Sequence, residues 1–465
     1  MPTGGTRPAS TSPDSLAARD IRGVLHPYTN LRAHEQAGPL VITRGEGVRV
    51  FDEDGRDYIE GMAGLWCCAL GFSEPRLADA AARQMRRLPF YHLFGGKSHP
   101  PAIKLAERLL ALAPAPFARV FFASSGSEAV DTAIKLCWYA NNARGRPEKK
   151  KIVARQRSYH GVTIAAASLT NLPVNQAGFD LPLAPMLQTG CPHFYREGHA
   201  GESEEAFAAR LARELEALIV REGPETIAAL IAEPVMGAGG VIVPPATYFD
   251  RIQPILDRHD IWLIADEVIC GFGRTGNMFG CETYAIRPDM LVLAKALSAG
   301  YAPISALLVS DEIYQALADG SAGFGSFGHG FTYSAHPLPA AVALETLRIY
   351  EERDIVAQVR AVAPRFQKHL HAFADHPLVG ETRGVGLIGA VELVADKATR
   401  RPFPAAVGAG ARVARASQEA GLIHRAMGDS LAFSPPLVIS DGDIDILFER
   451  FARALDAAAS TLSPT

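Results

Sequence analysis

No stretch of this 465-residue chain is apolar for long enough to cross a bilayer, and its first residues lack the apolar core of a secretion signal. Cysteine is scarce. The six residues, at 67, 68, 137, 191, 270 and 281, form no CxxC pair and no metal-ligand spacing. This pattern gives no basis for a metal centre and fits reduced, buried thiols of a cytoplasmic protein. Charge of one sign is lacking too: a formal −4 offers nothing to nucleic acid or to an anionic membrane. Internal repeats are absent, and low complexity is confined to the Pro/Gly-rich residues 1–15, expected to be a disordered tail. What remains, 48% hydrophobic and 21% charged residues, describes an ordinary soluble globular protein of two or three domains.

Patterning divides the chain. In 16–75, VITRGEGVRVFDEDGRDYIEG alternates apolar and polar residues around GEG and DEDG, which predicts a small antiparallel meander. From 76 to 335, helical stretches (76–88, 102–113, 204–222) alternate with the strand-like runs ARVFFA, KIVARQ, TIAALIAEP, IWLIADE, DMLVLAK and SALLVS. That order predicts an α/β fold, a mostly parallel sheet with helices on both faces. Residues 336–465 add a helix at 340–352, the strand-like RGVGLIGAVELV and LAFSPPLVIS, and a final helix at 443–461. They are expected to form a smaller α+β domain.

Two polar residues end strand-like runs. Asp266 closes IWLIAD, and Lys295 follows DMLVLA. In parallel sheets ligands sit beyond the carboxyl ends of the strands, which directs both side chains into one crevice. An amine and an acid there suit a pyridine-aldehyde cofactor, the lysine as Schiff-base partner and the acid against the ring nitrogen. Ser125-Gly126-Ser127 lies between a strand and a helix, where free N–H groups and the positive dipole end attract phosphate. The same residues also read as a plain serine N-cap with Glu128 in the first turn. Tyr159, in SYHG, can stack on a flat ring, and Val268 would press its other face.

SSGSEAVDTAIK, SYHG, EPVMGAGG, ADEVICGFGRTG, LAKALSAGYAPISA and HGFTYSAHP, in this order, resemble class III aminotransferases, pyridoxal-phosphate (PLP) enzymes of fold type I. The likeness runs over about residues 25–460. Through MAGLWC, LPFYHLF and GLIHRAMGDSLAFSPPLVIS the chain is most similar to the amine:pyruvate (ω-) transaminases. The resemblance implies a large domain with a seven-stranded-type sheet and a small domain built from both ends of the chain. It implies catalytic Lys295 and Asp266, with Ser125, Gly126, Ser127, Tyr159, His160, Glu233 and Val268 as further cofactor contacts. Glu233 reads as a structural acceptor within that set. Thr332 would reach the phosphate of a neighbouring subunit, so a homodimer or a dimer of dimers is implied. Tyr28, Leu65, Trp66, Phe94 and Ala238 would line the substrate pocket, and Arg425 would pair with the carboxylate of pyruvate or an amino acid.

The chain departs from the family pattern at three points. Met236 replaces a frequent glutamine, implying a lost hydrogen bond near the cofactor's ring oxygen. Ala238 stands where ornithine- and GABA-type relatives carry a glutamate, which favours the amine:pyruvate branch. Gly95 replaces an aromatic and opens the pocket. The implied reaction moves an amino group from a primary amine or ω-amino acid to a keto acid, with pyruvate the expected acceptor, in two half-reactions, with Lys295 shuttling the proton. Monoamine, diamine, β-alanine-like and taurine-like donors all fit. The rival readings are another class III PLP reaction (ornithine/GABA-type transamination, an aminomutase, a decarboxylase) and a non-catalytic binding protein. The GxGxxG strings at 323–328 and 384–389, the P-loop-like 95–98 and the calcium-loop-like SDGDIDIL all lack the required context and read as structural.

Overall fold

The apolar runs of the middle of the chain assemble into one sheet. In this computed structural model, which describes residue 12 and residues 14–462, seven strands lie in the order Phe117–Ala123, Ser305–Ser310, Met290–Leu293, Trp262–Asp266, Ile227–Ala232, Lys151–Arg155, Met186–Thr189. All neighbours are parallel except Ser305–Ser310, which is antiparallel to both of its partners. Ile227–Ala232, Trp262–Asp266 and Met290–Leu293 are buried along their whole length. That is why they read as continuous apolar runs without alternation. Their side chains nevertheless divide between the two faces. Ile264 and Val292 pack with Val130, Ile134 and Cys137 of the helix Gly126–Ala143. Leu263 and Leu291 share the opposite core with Phe207 and Leu215 of Glu204–Glu222 and Ile252 of Tyr248–Arg258.

The expected meander forms as Ile42–Glu46, Arg49–Asp52 and Asp57–Glu60, antiparallel in sequence, with Leu422–Ile423 added parallel to the last strand. A third sheet orders Val379–Val385, Ile388–Leu393, Ser430–Phe433 and Arg425–Met427, all antiparallel. Helices Ile355–His371, Ala409–Glu419 and Asp441–Leu462 pack beside these sheets, while Pro337–Glu352 packs on the helices Pro75–Arg87 and Pro100–Leu112. Among the described residues no helix is long and apolar enough to cross a membrane.

Some sequence expectations are revised. Most of the expected tail lies outside the described residues, but Ser15 accepts the N–H of Ala18 at 3.2 Å and caps the helix Leu16–Gly23. RGVGLIGAVELV is a hairpin of two strands, turning at Gly386 with φ +56°, so its GxGxxG string serves a turn. The calcium-loop mimic is the first turn of the helix Asp441–Leu462.

A buried ionic network joins the third sheet to the central one. Arg383 bridges Glu381 and Glu392 and also donates to Ser430 Oγ at 3.1 Å and to the Val241 carbonyl at 3.1 Å. His193 Nε2 meets Glu381 at 2.9 Å, and Arg196 pairs with Glu392. Burial alone would raise Glu392, yet Arg383, His193 and Arg196 together hold it down at about 2. Three distant stretches of chain are thereby locked onto the loop at 236–242.

Candidate active site

Adjacent parallel strands bring the opening pair together. Asp266 is registered beside Val292, and Lys295 follows two residues beyond the end of that neighbouring strand. Extended Ala294 and a left-handed Lys295, φ +49°, turn the chain sharply at this point. Both side chains line one cavity of about 380 Å³, together with Ser125, Gly126, Ser127, Tyr159, His160, Glu233 and Val268.

Asp266 is tightly held. Its Oδ2 lies 2.7 Å from His160 Nδ1, and its Oδ1 accepts the Val268 N–H at 3.1 Å. His160 Nε2 is buried without a partner among the described residues. Glu233 accepts the backbone N–H of Tyr159 at 3.1 Å and of Gly237 at 2.9 Å, tying two loops of the cavity together. Burial, reinforced by Asp266, pushes the Glu233 carboxyl up, while fully buried Arg155 donates to the Glu233 carbonyl. Lys295 lines the cavity, and burial lowers its pKa, disfavouring the charged ammonium. Among the described residues it makes no ion pair.

The helix Gly126–Ala143 presents its N-terminus to the same space. Both readings of Ser125 coexist there. Its hydroxyl accepts the Glu128 N–H at 3.2 Å, and Glu128 returns to the Ser125 N–H at 3.1 Å, completing a capping box. Ser125 is thus committed as a cap, and the donors left over belong to Gly126 and Ser127. Ser127 Oγ accepts the Val162 N–H at 3.1 Å. Gly161, with φ +131°, permits this approach, since a Cβ there would fall 2.6 Å from Ser127 Oγ. Farther along the helix, Lys135 Nζ lies 2.9 Å from His329 Nδ1, and Thr132 Oγ1 lies 3.0 Å from His329 Nε2. Burial, then Lys135, hold His329 down at about 4, so the ring is neutral.

The expected substrate residues divide. Trp66 is buried, with Arg425 5.1 Å and Lys295 Nζ 5.8 Å from its ring centroid. Tyr28 hydrogen-bonds Tyr159, whose phenol is raised by burial, and both stand near Arg425. Ala238 packs in one apolar cluster with Trp66 and Tyr159. None of Tyr28, Trp66, Ala238 and Arg425, nor Leu65, Phe94 or Thr332, lines the cavity itself; the first four gather beside it, around Tyr159 and Lys295. Leu65 and Phe94 are about half exposed, and Phe94 packs against Gly330 in the segment that carries Thr332. Met236 lies away from the cavity, packed against Cys191 and Ile242 and bonded to Ile242 in a short β-bridge. Cys67, Ser298 and Gly300 line the cavity without having been singled out, although MAGLWC and the LSAG following Lys295 were the available signals.

Among the described residues, two metal-capable clusters lie outside this cavity. Asp20, His26 and His34 brace the segment carrying Tyr28, and His193, Glu381 and Glu392 belong to the ionic network, where Arg383 takes the cationic place.

Comparison with known proteins now bears on this geometry. The family model for class-III aminotransferases matches residues 31–455. A chloroplastic γ-aminobutyrate transaminase of Solanum lycopersicum is 51% identical over 95% of this chain and 86% of its own length. The ω-transaminase of Pseudomonas jessenii, solved with pyridoxamine phosphate (PMP), is 55% identical, with a TM-score of 0.95 over 96% of this chain and 99% of that one. A transaminase solved with L-alanine is 57% identical, with a TM-score of 0.90 over 91% of this chain and all of that one. The residues present fit such a cofactor: a helix N-terminus for a phosphate, an enclosed amine for an aldehyde, an ordered carboxylate for a pyridine nitrogen and the orphaned His160 Nε2 beside it. The chain belongs to the class III aminotransferases, mixed α/β enzymes that use pyridoxal phosphate.

Proposed function

We propose that this enzyme moves an amino group from a primary amine or ω-amino acid to a keto acid, with pyruvate the preferred acceptor, and works as a homodimer. Arg425 carries the reading. It is partly buried against Trp66, whose ring neighbours Lys295, and among the described residues no carboxylate pairs with it. A guanidinium so placed suits an incoming carboxylate, while the Trp66 face and Ala238 suit an apolar amine. The transaminase solved with L-alanine, the amino acid made by aminating pyruvate, supports this acceptor. The γ-aminobutyrate transaminases among the relatives support an ω-amino acid donor alongside simple amines.

Bound pyridoxal phosphate supplies an electron sink for the carbon that loses its proton. The protein does the rest. Lys295 Nζ, whose charged form burial disfavours, takes the proton from the substrate's amine-bearing carbon and returns it on the cofactor's side. Asp266, ordered by His160 and the Val268 N–H, favours the protonated pyridine nitrogen. Gly126 and Ser127 hold the phosphate at the helix N-terminus. Phe94, packed against Gly330, and exposed Thr332 serve the partner's site in this reading, which also assigns residues 76–335 to the cofactor-binding domain.

Arg425→Ala is the discriminating variant. Loss of one charge-assisted pair should raise the pyruvate KM by about 10- to 100-fold while leaving a simple monoamine donor within a few-fold. Equal losses on both substrates would count against the carboxylate role, and a donor panel run with pyruvate would rank monoamines against γ-aminobutyrate. Assembly is tested by mixing Thr332→Ala with Lys295→Ala subunits. In a shared-site dimer, the hybrid contains one doubly damaged site and one intact site, so mixing restores activity that neither parent shows alone.

A further inference from the structure

Behind the Trp66 wall lies a carboxylate that the reaction does not use. Glu60 ends the strand Asp57–Glu60 and is 3% exposed. One oxygen accepts the Met62 N–H at 3.0 Å and the other accepts the Gly64 N–H. The loop it grips is strained. Ala63, Gly64 and Trp66 all have positive φ, +48°, +71° and +60°, and for alanine and tryptophan such a backbone persists only when its surroundings impose it. Those same dihedrals set the Trp66 ring between Arg425 and Lys295, with its indole N–H buried and unpartnered among the described residues.

We propose that Glu60 is the positioning residue of the substrate wall: its ionised carboxylate holds the loop at 62–66 in its strained form, so substrate binding against Trp66 follows the protonation of Glu60. This rests on the aminotransferase reading of the cavity. An ionised carboxylate accepts both N–H groups, whereas a protonated one spends an oxygen on its own hydrogen and holds the loop by one good bond. Burial pushes Glu60 up to about 7, which places the change in the neutral range. The titratable groups that act on it are Cys67 and Cys68 on its own segment; behind them, Lys295 acts on Cys67 and Tyr301 on Cys68, and His424 follows Ile423, the residue paired with Glu60. Burial raises both thiols, Cys68 to about 12, and raises Tyr301, while it lowers His424 to about 4. None of these changes charge in the same window. Lys295 is common to the proteins compared and cancels in their ratio.

The test uses the holoenzyme and Glu60→Gln, whose amide nitrogen cannot accept a hydrogen bond. The keto-acid KM of the variant divided by that of wild type should grow at least about fivefold between about pH 6 and about pH 8.5. Over the same range, hydrogen exchange at residues 61–68, corrected for its intrinsic pH dependence, should slow in wild type and stay fast in the variant. A flat KM ratio, or protection of that segment equal in both proteins, overturns the proposal. If Glu60→Gln does not fold, Trp66→Leu replaces it, and the wild-type inflection of KM near neutrality should vanish. Its persistence overturns the proposal as well. Absence of any keto-acid-dependent amine transfer in wild type would instead sink the parent reading.

Discussion

Lys295→Ala is expected to lower turnover by at least about 10³-fold, since in the proposed reaction this residue is both the nucleophile for the cofactor aldehyde and the base that moves the proton. The geometry makes substitution by a neighbour difficult. His160 is occupied with Asp266, Glu233 is occupied with two backbone N–H groups, and Cys67 is pushed away from its thiolate by burial. No other group lining the cavity combines basicity with access. A second readout separates chemistry from folding: borohydride should fix the cofactor covalently to the wild-type chain and not to the variant, as read by intact mass. Undiminished turnover, or cofactor fixed equally to both chains, would overturn the assignment.

Arg383→Met is expected to cost about 3–5 kcal/mol of stability, because it leaves Glu381 and Glu392 buried beside each other without their common cation. Urea or thermal unfolding of the holoenzyme measures this. The pH dependence has a definite sign. Glu392 is depressed from 4.5 to about 2 in the folded chain, so its contribution is present above about pH 4.5 and is lost as pH falls towards 2. Wild type should lose roughly 3 kcal/mol across that window from this group, an order-of-magnitude figure from its pKa displacement. The variant should lose little of it. Parallel acid profiles for the two proteins would show that the network is energetically neutral.

The difference between these sites explains what could be read from the chain beforehand. Lys295 and Asp266 each follow an uninterrupted apolar strand, and strand polarity alone sends both to one edge of a parallel sheet. The buried strands and the Glu204–Glu222 helix were equally legible, because period and length agree with their surroundings. The Arg383 network was not, since its members come from residues 193–196, 240–241, 381–392 and 430, and no local pattern couples them. The grip of Glu60 on its loop was hidden for another reason. Positive φ at Ala63 and Trp66 contradicts the preferences of those residues, so nothing in the local sequence announces the turn. Helices Tyr248–Arg258 and Ile355–His371 each contain an internal proline, which obscures them as continuous elements. Phe94 and Thr332 carry motif signals, yet they stand outside their own chain's cavity.

The capped helix Gly126–Ala143 has a further consequence. One end of it holds the donors for a phosphate, and its side chains Thr132 and Lys135 clasp His329, three residues before Thr332. In the proposed dimer, a single rigid rod therefore supports a ligand in one subunit and the completing loop of the other. Loading one half would stiffen the loop that the second half needs, and the two halves would fill cooperatively instead of one by one.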